Sequence, residues 1–165
     1  MKLIVRLILL AGLLALAVWS WGFFFPTPQK IIEKRLVKLA RLASFSSKDG
    51  NIKRLADTER ISLLLAQNIQ VVVDIPGGKQ TMFDNREELL QAALAARPAV
   101  KDLVVQFTDI GVVVNSDRKS AAALLTLKAK IGADADWLIE ELRFTLKNTN
   151  DDWLITRVET VKPLR

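Results

Sequence analysis

Residues 137–161, WLIEELRFTLKNTNDDWLITRVETV, predict two long β-strands joined by a polar turn at residues 148–152. In the first strand Leu142, Phe144 and Leu146 alternate with polar and charged residues, which is typical of a strand with one buried face. The second strand is rich in β-branched and aromatic residues, which favour extended structure. The stretch therefore predicts an antiparallel pair of strands at the C-terminal end of the domain.

The two strands differ in how regularly their faces alternate. Trp137 and Ile139 keep the apolar register of the first strand only if an extra residue is inserted near Glu140, so we expect a β-bulge there. In the second strand, regular alternation places Arg157 and Glu159 on the apolar face. That face holds Trp153, Ile155 and Val161, and the other holds Leu154, Thr156 and Val158. Because neither face is wholly polar, we expect both to be at least partly covered.

Two helices are predicted upstream of all the strands. Residues 29–44 carry an apolar stripe at helical spacing, formed by Ile32, Leu36, Leu39, Ala40 and Ala43. A polar loop at residues 46–51 separates this helix from a second helical stretch at residues 52–67. The second stretch contains Leu55, Ala56 and a dense apolar cluster at residues 61–65.

A hairpin, a third helix and two more strands complete the order of elements. Residues 69–75 and 80–83 flank a turn at residues 76–79, Pro-Gly-Gly-Lys. Asn85, with Glu88 three residues later, predicts the start of a helix that stops at Arg97 and Pro98. Strands are predicted over residues 100–115, with a kink before Gly111, and over residues 121–131. The resulting order is α-α-β-β-α-β-β-β-β.

This order, together with the ending at residues 151–158, DDWLITRV, resembles the nuclear transport factor 2-like (NTF2-like) superfamily, which includes SnoaL-like polyketide cyclases and ketosteroid isomerases. The ending is similar to the W-x-I-x-x-V closing strand of that group. The resemblance covers about residues 29–162 and implies an α+β, cone-shaped fold, in which a curved, mostly antiparallel sheet wraps round three helices. It also implies a pocket at the wide end of the cone and dimers formed through the outer sheet face. A cystatin-like domain with a helix on a sheet is the nearest alternative.

The N-terminal residues 1–27 are predicted to be a transmembrane anchor, followed by one domain over residues 28–165. Lys2 and Arg6 precede an apolar run over residues 7–25 that is long enough to span a bilayer. The run ends in an aromatic cluster followed by two prolines, as is common at a membrane–water interface. A cleavable signal is the alternative, because residues 15–17, Ala-Leu-Ala, form a small-x-small site. Lys2 and Arg6 favour a cytoplasmic N-terminus and an exported domain, whereas the basic residues after the run oppose that orientation.

The net charge of +6 is concentrated just after the predicted anchor. The first helix contains Lys30, Lys34, Arg35, Lys38 and Arg41, which we expect to be attracted to anionic lipid headgroups. A solvated helix face is the alternative. No nucleic-acid partner is expected, because no stacking aromatic residues are interleaved with these charges and the later part of the chain is slightly acidic.

The composition argues against catalysis, because the chain has no histidine, cysteine or tyrosine. Such a chain lacks the carboxylate–tyrosine pair and the histidine–aspartate set that the resemblance associates with ketosteroid isomerases and scytalone dehydratases. We expect no catalytic residue, no metal and no cofactor. A SnoaL-like enzyme with a lone carboxylate is the alternative. Its candidates are Asp74, Asp102 and Asp109, although each is simply explained as a turn or strand-end residue.

Arg157, Glu159 and Arg143, with Glu141, form the most suggestive polar group in the last two strands. If they line the cone, Arg157 is suited to hold an anionic ligand, because its planar guanidinium fits a carboxylate or phosphate. Phe107 and Trp137 would then be apolar contacts of a small hydrophobic or anionic ligand. The alternative is an outer sheet face with ion pairs, and a core role for Phe107, Trp137, Phe144 and Trp153.

The sequence thus predicts a non-catalytic, membrane-anchored binding or assembly module of the cell envelope. A ligand pocket in the cone, lipid contacts through the anchor and the basic first helix, and a homodimer through the sheet face are its further expectations. The alternatives are the lone-carboxylate enzyme and a secreted carrier of hydrophobic ligands, released by signal cleavage.

Overall fold

The helices and strands follow the predicted order. A computed structural model describes residues 27–74, 80–132, 135–150 and 152–161, together with Gly12 and Ala15. Helix α1 is Pro28–Ala43, α2 is Asn51–Ser62, and α3 is Arg86–Ala96, which continues into a short 3-10 turn at Arg97–Ala99. The strands are β1 (Leu65–Asp74), β2 (Gln80–Phe83), β3 (Leu103–Val114), β4 (Ser120–Ile131), β5 (Leu138–Thr149) and β6 (Asp152–Thr160).

All six strands form one sheet in the order β2-β1-β6-β5-β4-β3. Every neighbouring pair is antiparallel except β1 and β6, which run parallel. The predicted mostly antiparallel sheet is therefore confirmed, as is the hairpin, in which Val71 pairs with Phe83 and Val73 with Thr81. The predicted Pro-Gly-Gly-Lys turn of that hairpin lies outside the described residues.

Local sequence signals explain where two of the helices begin. Pro28 is the first residue of α1, where its missing N–H leaves no hydrogen bond unmade. Asn85 caps α3, because its Oδ1 accepts a hydrogen bond from the amide of Glu88 at 2.7 Å, as predicted. The apolar stripe of α1 is also confirmed, since Ile32, Leu36 and Ala40 are buried.

The predicted end of the second helix is wrong. Helix α2 stops at Ser62, and β1 begins at Leu65 rather than at Ile69. The reason is the parallel pairing with β6, in which the amide of Ile155 donates to the carbonyl of Leu64 at 3.0 Å and Leu65 pairs with Ile155. Burial of Leu64 and Leu65 against that strand outweighs the helical propensity of the leucine run.

The predicted bulge near Glu140 is also wrong. Strands β4 and β5 pair without interruption from Ser120–Lys147 to Ala129–Leu138. Without an extra residue, Trp137 and Ile139 lie on the side of Glu141, and both are exposed. The kink predicted before Gly111 is confirmed, because the β3–β4 register shifts between Thr108 and Gly111, and Asp109 has a φ of 52°.

A second bulge lies in β6 and overturns the predicted faces of that strand. Ile155 pairs with Leu146, whereas Arg157 pairs with the adjacent Thr145, so Thr156 is the extra residue. Side chains therefore change sides at Thr156. Trp153, Ile155 and Val158 are buried on one face, and Arg157 lies on the other.

One face of the sheet packs on α1 through apolar side chains. Ile32 and Leu36 of α1 are fully buried against it. Their neighbours in the core come from the four central strands and include Ile69, Leu125, Phe144, Leu146, Trp153 and Ile155. At one edge of the sheet, Phe45 and Leu103 exchange two backbone hydrogen bonds of 2.9 Å each, which ties the end of α1 to the start of β3.

The predicted membrane anchor at residues 1–27 lies almost entirely outside the described residues. Within the described ranges, none of the helices combines the length and the apolar character needed to cross a bilayer.

Candidate functional site

The sheet separates the residues that the sequence grouped as a ligand site. Arg143, Arg157 and Glu159 lie on the outer face, because the residues on either side of each of them point into the core or the bulge. Phe107 lies on the inner face, where its ring meets that of Phe144 edge to face with centroids 5.6 Å apart. Trp137 precedes β5 and is 44% exposed. The structure therefore brings the three charged residues together and leaves the two aromatic residues apart from them.

The three charged residues form ion pairs on the outer face. Arg157 Nε lies 3.0 Å from Glu159 Oε2, and Arg143 Nη1 lies 3.7 Å from Glu159 Oε1. Arg157 Nη1 also donates to the Gln70 side chain of β1 at 3.3 Å. These guanidinium groups already have partners and are open to solvent, so the arrangement is that of a salt-bridged sheet surface.

An apolar slot of about 240 Å³ lies where α1 stops, between α2, α3 and the start of β3. Its walls include Ala43, Phe45, Ile61, Ala93, Ala96 and Leu103. Arg97 completes the wall and is held by its neighbours: its guanidinium carbon lies 5.1 Å from the ring centre of Phe45, and its Nη1 donates to the carbonyl of Arg54 at 3.4 Å. No carboxylate is found among the described residues that line this slot. The slot thus suits the apolar part of a small molecule.

The three carboxylates considered for catalysis lie elsewhere. Asp102 accepts hydrogen bonds from the Ser47 amide at 2.9 Å and from the Ser46 hydroxyl at 2.9 Å, which lowers the pKa of its carboxyl group below the ordinary value. It therefore fastens the loop after α1 to the start of β3. Asp109 is exposed at the β3 kink, where it accepts from the Thr108 hydroxyl at 3.0 Å. Asp74 is the last residue of β1.

Four of the five basic residues predicted to face lipid share one exposed stripe of α1. Lys30, Lys34, Lys38 and Arg41 are three or four residues apart and therefore lie above one another on the helix. Arg35 points away from this stripe. Its Nη1 donates to the Trp153 carbonyl at 3.1 Å, and its Nη2 pairs with Asp152, so Arg35 ties α1 to β6.

The orientation of α2 was not foreseen. Periodicity shows that Ile52, Leu55 and Leu63 fall on one side of the helix, but it does not show which side meets the sheet. In the structure that side faces solvent. Arg54 and Asp57 lie on the opposite side, and no feature of the sequence indicates that this side faces the core.

Comparison with known proteins supports the fold. No protein-family model matches the sequence, and no curated protein matches it either. Among solved structures, an NTF2-like protein of unknown function from Pseudomonas putida KT2440 superposes with a TM-score of 0.65 at 10% identity, covering 86% of this chain and 90% of that chain. An NTF2-like protein with a cystatin-like fold from Novosphingobium aromaticivorans gives a TM-score of 0.61 at 16% identity, covering 92% of this chain and 86% of that chain.

A third similar structure carries the name of an enzyme. It is a candidate scytalone dehydratase from Novosphingobium aromaticivorans, with a TM-score of 0.57 at 11% identity over 81% of this chain and 82% of that chain. Identities this low establish the architecture and leave the activity open, because this fold serves many functions. The described part of the chain has the NTF2-like, cystatin-like fold, with a mixed sheet and three helices.

Proposed function

We propose that this chain is a non-catalytic binding module, anchored to a membrane by its N-terminal segment and holding a small ligand in the apolar slot. The observation that carries the proposal is the chemistry of the slot. Its walls come from alanine, aromatic and aliphatic side chains, and Arg97, the one charged residue among the described residues that line it, is stacked on Phe45. Such a site can bind by burial of apolar area and offers no general base.

The slot is small, so we expect either a small ligand or a larger one that inserts only its apolar end into the slot. Ala93 and Ala96 of α3 form part of its wall, so a leucine at each position is expected to narrow it. Ala95 is exposed on the same helix and does not line the slot, which makes Ala95→Leu a matched control.

Native mass spectrometry of the full chain, extracted gently from its source membrane, tests ligand binding. We expect the unmodified chain and Ala95→Leu to retain a small-molecule mass that the Ala93→Leu, Ala96→Leu double variant loses. Retention by the double variant, or a ligand-free unmodified chain, contradicts the proposal. A chemical conversion abolished by Asp102→Asn or Asp109→Asn favours the lone-carboxylate enzyme.

The proposed anchor comprises residues 1–27, with the N-terminus in the cytoplasm and the domain on the exported side of the envelope. It is supported by the length of the apolar run and by the basic stripe of α1 that follows it. Resistance to extraction by alkaline carbonate is the expected result. A mature chain that begins at Val18 would instead favour the secreted carrier.

We also propose that two copies pair through the outer sheet face. Val113, Leu124 and Ile139 are exposed there, and the same face carries Lys128 and Glu141, so it can complement itself in a two-fold arrangement. Leu124→Glu is expected to convert a dimer in mild detergent to a monomer, whereas Val37→Glu on α1 leaves it dimeric. A monomeric unmodified chain contradicts this part of the proposal.

A further inference from the structure

Helix α2 presents its largest apolar side chains to solvent. Ile52 is 87% exposed, and Leu55 and Leu63, just past the helix end, are each 66% exposed. Successive residues of an α-helix are about 100° apart, so these positions fall within one side of the helix. We call Ile52, Leu55 and Leu63 the α2 stripe.

The opposite side of α2 faces the protein and carries Arg54 and Asp57 beside Ile61, which packs against the core. Asp57 is only 8% exposed, and its Oδ2 lies 3.0 Å from the Lys53 ammonium. The Nε of Arg54 is buried and has no hydrogen-bond partner among the described residues. Surface helices normally place apolar residues inward and polar residues outward. In α2, Ile61 follows this rule, whereas Ile52, Leu55 and Leu63 face solvent and Asp57 is buried.

Glu59 is exposed on the side of the α2 stripe, four residues from Leu55 and four from Leu63, so the outer side of α2 combines three large apolar side chains with one carboxylate. Such a mixed surface suits the boundary between water and a second apolar environment. Two contacts with the rest of the domain hold α2 in this orientation. Arg97 Nη1 donates to the Arg54 carbonyl at 3.4 Å, and Ile61 packs against the core.

We infer that the α2 stripe inserts into the interface of an anionic bilayer, so that the domain lies on the membrane rather than hanging from its anchor. The inference rests on the proposed membrane anchoring. The apolar run over residues 7–25 ends directly before α1, and only the loop over residues 44–50 separates α1 from α2. The covering partner is thus expected within a short distance of a bilayer.

Charge complementarity favours lipid over a second copy. Lys30, Lys34, Lys38 and Arg41, with one carboxylate, Glu33, between them, form the exposed stripe of α1. Lys53 and Arg60 lie along one side of the α2 stripe, with side chains 52% and 62% exposed. Basic residues beside an inserted apolar face are typical of helices that lie in the membrane interface, where they contact anionic headgroups. Two copies meeting through this region would bring their basic residues together.

The full chain, which has no cysteine, allows a direct test with single labels. An environment-sensitive NBD fluorophore is attached to Ile52→Cys or, as a control, to Met82→Cys, an exposed site on β2 that is 60% accessible. Each protein is reconstituted into phosphatidylcholine vesicles with and without phosphatidylglycerol. With phosphatidylglycerol, we expect the emission of the label at position 52 to move to shorter wavelength. We also expect this emission to be quenched by lipids that carry a nitroxide near the headgroup. The emission of the label at position 82 should stay at the wavelength of a label in water.

The outcomes separate the inference from the proposed function. If the chain remains with the vesicles after alkaline carbonate but the label at position 52 stays solvent-like in both lipids, the anchor stands and the α2 inference is overturned. If the chain is extracted by carbonate, anchoring fails, and the α2 inference survives only if added phosphatidylglycerol vesicles still shift the label at position 52. A lipid-independent shift that grows with protein concentration assigns the stripe to a second copy and overturns the lipid assignment.

Discussion

Ile155 and Arg157 lie two residues apart in β6 but on opposite faces of the sheet, because Thr156 is the extra residue of a bulge between them. The bulge removes Arg157 from the interior and places it beside Glu159 and Gln70. Arg157 therefore contributes to the surface of the sheet and not to the apolar slot.

Replacement of Arg157 by alanine should have a small effect on stability and none on ligand retention. Exposed ion pairs contribute about 0.2–1 kcal/mol, and Glu159 keeps Arg143 as a partner at 3.7 Å. Urea unfolding of the full chain in mild detergent measures the first effect, and native mass spectrometry measures the second. Loss of a bound molecule in Arg157→Ala at unchanged stability would contradict the outer-face assignment.

Replacement of Leu36 by alanine should destabilise the domain strongly. Leu36 is fully buried between α1 and the sheet, and truncating such a leucine costs about 2–5 kcal/mol, because apolar contacts are lost and a cavity remains. The adjacent Val37 faces solvent, so Val37→Ala should change the free energy of unfolding by less than about 0.5 kcal/mol. Equal effects at the two positions in urea unfolding would rule out the packing of α1 described here.

Replacement of Asp102 by asparagine should make stability less dependent on acidic pH. The Ser47 amide and the Ser46 hydroxyl lower the pKa of the Asp102 carboxyl group in the folded state. A lowered folded pKa stabilises the protein above the unfolded value of about 3.9, and this contribution is lost as the pH falls through the folded value.

Asp102→Asn should therefore be less stable than the unmodified chain near neutral pH and approach it at the acidic end. Urea unfolding across this pH range measures the difference. Asp136 is an exposed carboxylate with no hydrogen-bond partner in the described part of the chain, so Asp136→Asn serves as the control and should give no such convergence. A constant difference between Asp102→Asn and the unmodified chain at every pH would contradict the assignment.

Replacement of Arg118 by glycine should stabilise the β3–β4 turn. Arg118 has a φ of 54°, a left-handed conformation that costs a residue with a side chain about 1–2 kcal/mol. Glycine avoids this cost, but part of the gain is offset because glycine loses more conformational entropy on folding. We expect the free energy of unfolding to rise by up to about 1 kcal/mol. Arg118→Ala keeps the strain and should show no increase, so a gain in the alanine variant would point to loss of the arginine side chain as the cause.

The order of elements and most strand positions could be predicted, because Leu142, Phe144 and Leu146 keep a strict alternation and Asn85 carries an unambiguous cap. The two faces of β6 could not be predicted, because the residue types of the strand do not show that Thr156 forms a bulge. The end of α2 was missed because the pairing of Leu65 with Ile155 joins residues that are far apart in sequence. A pocket was expected, but the residues that line the slot were missed for the same reason, as Ala43, Ile61 and Ala96 come together only in the folded domain.

The bridge between Phe45 and Leu103 has a consequence for aggregation. Strand β3 is a long edge strand, and open edges of this kind recruit strands from other molecules, above all when a membrane concentrates copies in two dimensions. The backbone N–H and C=O groups of Leu103 at this edge are hydrogen-bonded to Phe45. The Ser44 hydroxyl accepts from the Val105 amide at 2.9 Å. The kink at Asp109 interrupts the strand soon afterwards. The first half of this edge is therefore closed to strand addition, so crowded copies are not expected to grow into a fibril through it.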